Sequence, residues 1–278
     1  MQKTFSESDL KSFEPELKIG LLATVNDEGL PHLTLISTLQ ASSSTQMFWG
    51  QFAEGLSKAY IRKNPKTGWL ILTLDKNVWR GKSSFTETTR SGKEYDLLNN
   101  TPMFRYNAYF GIHTVYYMDM VEQTGKQALP MGAVIQAAIK TMIAKTLAGK
   151  GGKDVLNLFT RKLIDKMDNL KFLAYVDGNG YPVIIPVIQA QTAGTDRVIF
   201  ASSVYTDDLK AIPAGARVAF FCMSFEMQTV LLRGVYKGLS GIGGVECGGI
   251  DVDYVYSPMP PKAEQIYPYK KLEAVNSF

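Results

Sequence analysis

One strand–turn–strand phrase is written twice in this chain. The stretch "LLATVNDEGLPHLTLIS" (21–37) returns as "FLAYVDGNGYPVIIPVI" (172–188). Ala23, Val25, Gly29 and Pro31 recur as Ala174, Val176, Gly180 and Pro182, an offset of 151 (182 − 31). The phrase has a physical logic. An apolar run ends in a turn cluster, a glycine supplies the left-handed backbone, and a proline opens the next strand where a missing N–H is tolerated. The match continues downstream. "WRGK" (79–82) answers "LRGVYK" (232–237) at an offset of 153 (234 − 81). "GLSKAYIRKNP" (55–65) answers "TDDLKAIPAGA" (206–216) around Lys58 and Lys210, at an offset of 152 (210 − 58). Order and spacing kept across several elements imply a tandem duplication.

Whatever folds is therefore two copies of a β module joined by a connector. With 278 residues, 45% hydrophobic and 20% charged, the chain has material for two modest globular domains. A net charge of +4 without a long basic run argues against a nucleic-acid partner. The polar start "MQKTFSESDLKSFEPELK" has no apolar h-region, and no run approaches the roughly 20 apolar residues of a membrane span. The expectation is a cytoplasmic protein with no membrane partner. Cys222 and Cys247 are too few for a disulfide framework, and with His32 and His113 they make no metal site. No Ser-His-Asp order stands out.

Runs rich in Val, Ile, Phe, Tyr and Trp, separated by short turns, predict strands at 19–25, 45–51, 67–74, 77–87 and 113–124. In the second half they fall at 196–203, 216–224, 228–238 and 248–257. The glycine-rich stretch 238–249 lacks the lysine and hydroxyl of a phosphate loop and reads as a flexible turn. The fold class is mainly β, with antiparallel sheets closing into barrels. From Met131 the texture changes. Val134, Ile135, Ala138, Ile139, Met142 and Ile143 recur at three- and four-residue steps, one face of a helix, and are expected to be buried. A second amphipathic run follows Asp154, a candidate N-cap, with Val155, Leu158, Phe159, Leu163 and Met167 near its stripe. Lys140, Lys145, Lys150, Lys153, Arg161 and Lys162 make the pair basic. A membrane-surface helix would look similar, but a helical hairpin packing between barrels or on a second subunit fits better. The expected organisation is a first barrel over 1–128, a helical connector over 129–169, and a second, eroded barrel over 170–278.

At this point the residues resemble a known family. "LATVNDEGLPHLTLIS", then "MFWGQ", then a polar turn into "LSKAYIRKNPKTGWLILTL" resembles the flavin-mononucleotide-binding split-barrel superfamily, the pyridoxamine 5′-phosphate oxidase-like group. The resemblance is strong over 17–124 and looser over 170–257. It implies two tandem six-stranded Greek-key split barrels and an FMN-dependent oxidoreductase acting on a small-molecule substrate. It further implies a homodimer, or an intramolecular pseudo-dimer of the two barrels.

A flavin mononucleotide needs a cation and hydroxyl donors at its phosphate, and apolar cover at its ring. The resemblance places Thr34, Ser37 and Thr38 along the flavin. Thr34 stands where the family carries an arginine. Phe48 and Trp49 replace a tyrosine-threonine pair as aromatic cover. Ser57 and Lys58 stand at the phosphate clamp, with Lys58 the leading phosphate ligand, while Arg62 and Lys63 read as surface charges. Asn77 (or Lys76) and Trp79, with Arg80, follow the next strand toward the ring. In the second copy Ser202, Ser203, Tyr205 and Lys210 answer the phosphate region, but Asp207 and Asp208 set negative charge beside it. The end "YPYKKLEAVNSF" lacks the arginine- and histidine-bearing tail of pyridoxamine-phosphate oxidases, which argues against that specific activity. Alternatives are a reductase using the deazaflavin F420, a haem-binding split barrel with His32 or His113 as axial ligand, and a non-catalytic flavin-binding protein. Tyr106, Tyr109, Tyr116 and Tyr117 either line a substrate cleft or fill a barrel.

Overall fold

The computed structural model describes residues 1–51, 53, 55–105, 111–149, 152–259 and 263–269. Tyr106, Tyr109 and Lys150 lie outside the described residues. The chain divides into two compact units. Met1–Pro130 together with Ala174–Ile184 form the first, and Met131–Leu173 with Ile185–Phe278 form the second.

The first half opens with α1 (Glu7–Phe13), started by a capping box in which Ser6 and Asp9 exchange side-chain and backbone bonds. Then come β1 (Lys18–Val25), β2 (Pro31–Leu35), β3 (Gln40–Ala41), β4 (Gln46–Gln51), α2 (Leu56–Lys63), β5 (Lys66–Thr73) and β6 (Asn77–Thr89). They are followed by α3 (Lys93–Asn99), α4 (Pro102–Arg105), β7 (Thr114–Gln123) and β8 (Gln127–Ala128). The strands join in the order β2-β1-β5-β6-β7-β4-β3, with β8 on β6.

The second half begins with α5 (Met131–Leu147) and α6 (Leu158–Asp165). Its strands are β9 (Leu170–Val176), β10 (Pro182–Pro186), β11 (Gln191–Thr192), β12 (Arg197–Ala201), β13 (Arg217–Met223), β14 (Thr229–Ile242), β15 (Val245–Ser257) and β16 (Glu264–Tyr267), with α7 (Thr206–Lys210) after β12. Their order, β10-β9-β13-β14-β15-β12-β11, reproduces the first sheet strand for strand. Each copy has six principal antiparallel strands in split-barrel order and two short additions. The protein is mainly β, as a duplication of one β module requires.

The repeated phrase builds the same turn twice. Asn26 Oδ1 accepts from the backbone N–H of Glu28 and Leu30 at 3.0 and 2.8 Å, and Asp177 Oδ1 accepts from Asn179 and Tyr181 at 2.9 Å each. Gly29 and Gly180 take φ of 75° and 79°, as side-chain-driven turns of this kind demand. The repeated Arg-Gly has its own cause. A Cβ on Gly81 would stand 2.3 Å from the Glu122 carbonyl oxygen, and one on Gly234 2.2 Å from that of Asp251. Gly234 sits at a register shift between β14 and β15, and Gly81 lies one residue before the shift between Lys82 and Ser83.

The first unit's core holds all three tryptophans of the chain. Trp49, Trp69 and Trp79 pack with Phe5, Phe13, Ile71 and Tyr116, all buried. Trp79 Nε1 donates to Asp9 Oδ1 at 2.8 Å, so α1 closes this core. The same unit includes the turn of 174–184. Lys82 Nζ pairs with Asp177 Oδ2 at 2.8 Å and Glu122 Oε1 at 2.6 Å. Arg80 donates to the Ile184 carbonyl at 3.2 Å, and the Ser84 and Tyr181 hydroxyls meet at 3.0 Å. A Cβ on Gly68 would stand 2.1 Å from the Pro182 carbonyl oxygen, so only glycine admits that approach.

Two expectations need correction. Residues 238–249 are not a flexible turn. β14 and β15 run through them as a hairpin, and Gly243 and Gly244 at φ 56° and 79° form its tip. The helical segment also differs. α5 packs on β11, β12 and β15, and its buried face is Val134, Ala137, Ala138, Thr141 and Ala144. Thr141 Oγ1 accepts from the Ala201 N–H at 2.9 Å, which fixes this rotation. Ile135, Ile139, Met142 and Ile143 point outward instead. α6 is capped by Asn157 rather than Asp154, and Lys145 ties to Asp165. Among the described residues no helix is long and apolar enough to cross a membrane, and no group of three or more His, Cys, Asp or Glu could hold a metal.

Candidate functional site

α2 lies on β1 and β2, and two pairs of side chains set the fit. His32 and Thr34 alternate onto one face of β2. On α2, Ser57 and Tyr60 sit three residues apart and so share a face. The His32 ring meets the Tyr60 ring edge-on at 5.6 Å, and the Thr34 and Ser57 hydroxyls are in short hydrogen-bond contact. Ser57 is buried and Thr34 half-buried.

Among the described residues, no side chain caps the start of α2. Its N-cap is Gly55, which has no side chain to cap the helix, and the first turn carries no acidic residue. The helix dipole and amide N–H groups there favour an anion. Lys58 is half-exposed, and its ammonium group lies 4.0 Å from where a Cβ on Gly55 would stand. The first turn of α2 thus carries a pair of hydroxyls in contact and, beside Gly55, an ammonium group. That donor set suits a phosphate dianion. One turn further, Arg62 donates to the Tyr116 hydroxyl at 3.4 Å, and Tyr116 donates to Gln51 Oε1 at 2.9 Å. Sequence reading treated Arg62 as a surface charge and gave Gln51 no role; the chain they form runs from solvent into the Trp49 core.

The remaining candidates have other neighbours. Thr38 Oγ1 donates to the Gly50 carbonyl at 3.1 Å and accepts from the Gly50 N–H at 3.0 Å, so it pins the β2–β3 turn to β4. Gln189 makes the corresponding bond to the Ala201 carbonyl at 2.8 Å in the second copy. Ser37 is half-buried in that same turn. Phe48 is buried with Leu98, Ile112 and Val115. Trp49 is buried and stacked on Tyr116 at 4.1 Å. Trp79 faces α1, and Asn77 opens β6 opposite Ala128. The structure joins Thr34 to Ser57 and sets Lys58 beside Gly55 on the same helix, while the three aromatic candidates fill cores. Tyr117 is half-buried and donates to Glu94 at 3.0 Å; burial, then that bond, pushes its hydroxyl up to about 12.

The corresponding place in the second unit is filled differently. A depression of about 240 Å³ is lined by Lys140, Ser202, Ser203, Thr206 and Glu246. There the Ser202 hydroxyl donates to the Glu246 carboxylate, and α7 begins with Asp207 and Asp208. A carboxylate of the chain itself takes the hydroxyl at the place where the resemblance would set a phosphate.

No protein-family model and no curated protein matches the chain. Several solved structures are similar to part of it. An FMN-binding protein from Syntrophomonas wolfei subsp. wolfei is 17% identical, over 40% of this chain and 77% of its own, with a TM-score of 0.34. HupZ from Group A Streptococcus is 12% identical, over 43% and 91%, with a TM-score of 0.36. An F420 reductase is 14% identical, over 43% and 98%, with a TM-score of 0.35.

Proposed function

We propose that the first unit binds flavin mononucleotide by its phosphate at the start of α2, and that the protein is a flavin-dependent oxidoreductase of small molecules. The observation that carries this reading is the contact of the Thr34 and Ser57 hydroxyls in the first turn of a helix whose Gly55 N-cap has no side-chain cap bond and stands beside the Lys58 ammonium group. The resemblance of 17–124 to the flavin split barrels supplies the identity of the anion. Bound flavin contributes a ring that accepts electrons from one substrate and passes them to another. The protein's part is to hold it. Lys58 neutralises phosphate charge, and whichever of Ser57 and Thr34 accepts in their mutual bond keeps its own O–H to donate to a phosphate oxygen. Burial of Ser57 keeps water from competing for its hydroxyl. One site per chain is expected, because Glu246 occupies Ser202 and two aspartates open α7 in the second copy.

The test compares FMN with riboflavin, which lacks the phosphate, by quenching of flavin fluorescence on titration with the full chain. FMN should bind at least tenfold more tightly. Lys58→Ala should remove about 10- to 100-fold of FMN affinity, the worth of one charge-assisted hydrogen bond, and leave riboflavin unchanged. Equal affinity for the two flavins, or an FMN affinity indifferent to Lys58, would refute the assignment.

A further inference from the structure

α5 is built inside out for a surface helix. Its small side chains, Ala137, Ala138, Thr141 and Ala144, face its own sheet, and its large ones face solvent. Ile135 is 51% exposed, Ile139 52%, Met142 45%, Ile143 52% and Leu147 61%. A helix with one apolar face on its own sheet and a second, largely apolar face toward solvent, broken by Gln136 and Thr146, belongs between two surfaces. We propose that the outward face of α5 is a two-fold docking surface for a second copy of this chain.

Three observations choose that occupant. Ile135, Ile139 and Ile143 are spaced by four residues and centred on Ile139, the midpoint of Met131–Leu147. Two such helices packed antiparallel about an axis through Ile139 set Ile135 of each against Ile143 of the other, a self-complementary contact. The area is sufficient. Half-exposed side chains of this size leave on the order of 100 Å² each, so five give roughly 1,000 Å² for the pair, where stable interfaces begin. The charge pattern also fits. The stripe itself is uncharged, Lys145 is neutralised by Asp165 at 2.5 Å, and Lys140 stands at the edge. An interfacial membrane helix carries a cationic face opposite its apolar one. Here the opposite face is Val134 and alanines buried on the sheet.

Sedimentation equilibrium of the full chain tests this, with Ile139→Glu and Ile139→Cys as variants. At roughly 50 µM the native chain should have twice the 30.8 kDa chain mass. Ile139→Glu should have the single mass with its circular dichroism retained. Oxidised Ile139→Cys should run as a covalent dimer on a non-reducing gel. The native chain should not, since Cys222 and Cys247 are both buried. The proposal is overturned by a native chain of single mass. It is equally overturned by a dimer that Ile139→Glu leaves intact, by no crosslink through Ile139→Cys, or by a monomer that sediments with phosphatidylglycerol vesicles and is released by salt.

Discussion

Lys171 is wholly buried, and its ammonium group donates to the carbonyls of Lys166 and Ile188 at 3.0 Å each. Lys18, at the head of the first strand of the first copy though not at the matching position, is also buried and donates to the Pro15 carbonyl at 2.8 Å. Burial pulls each lysine down to about 8 from 10.5. The sign follows from which state holds the proton. Between pH 8 and 10.5 the unfolded chain keeps a proton that the folded chain has released, so these groups make stability rise with pH across that window. Below pH 8 the cost of enclosing the charge is constant. Lys171→Met should therefore flatten the pH dependence of the urea midpoint between pH 8 and 10, and parallel curves for variant and parent would contradict this. Gly68 offers a second residue-scale case. A methyl group there would stand 2.1 Å from the backbone oxygen of Pro182, which cannot yield as a flexible side chain can. Gly68→Ala should cost about 2 kcal/mol or more in chemical denaturation. A loss under half that would mean the turn of 174–184 can move aside.

At the scale of elements, the two hairpin turns share their hydrogen bonds but not their surroundings. Asn26 makes the turn alone, whereas Asp177 also meets Lys82 at 2.8 Å. Burial works against the Asp177 carboxylate, but the Lys82 hydrogen bond and two backbone N–H groups outweigh it and hold the group below the usual range. Its stability contribution is present above pH about 4 and is lost as pH falls through the lowered value. Asp177→Asn keeps the turn, as Asn26 demonstrates, and removes the ion pair. It should cost about 1 kcal/mol at pH 7, and the difference from the parent should vanish near pH 2 in acid titrations followed by circular dichroism. An undiminished difference at pH 2 would assign the loss to the turn instead. This element was legible in sequence because its chemistry is local: a turn residue, a glycine and a proline within six positions. The repeated Arg-Gly was visible as a match between the copies, but the close backbone approach that requires its glycine was not. Other features were not. Periodicity reports that α5 has an apolar face, but it cannot tell that Thr141 and three alanines face the sheet. Six glycines in 238–249 suggested looseness, yet two of them serve a single tight turn between paired strands. The Thr34–Ser57 contact joins positions 23 residues apart, and it depends on how a helix rotates on a strand. Aromatics at 48, 49 and 79 matched a family pattern, but strand alternation in this chain turns them into cores.

For the whole molecule, the duplication explains why one sheet order occurs twice, while the compact units do not follow the duplicated halves. The second copy's turn, 174–184, belongs with the first unit, and it brings Asp177 to Lys82, Tyr181 to Ser84 and the Ile184 carbonyl to Arg80. Gly68 and Lys66 receive it too, the latter by a 2.6 Å bond to the Asn179 carbonyl. A chain cut at the end of the first half thus leaves a sheet without one of its packing partners and with Lys82 facing Glu122 alone of its two carboxylates. The tryptophans make this measurable. All three lie in the first unit's core, so their emission reports that unit and nothing else in the chain. A fragment of residues 1–130 should melt at least 5 °C below the intact chain by tryptophan fluorescence, the shift expected from losing a few kcal/mol in a domain of this size. Asp177→Ala in the intact chain should move the same transition part of the way. If the fragment melts with the intact protein, the borrowed turn contributes no stability and the first copy is a self-sufficient domain.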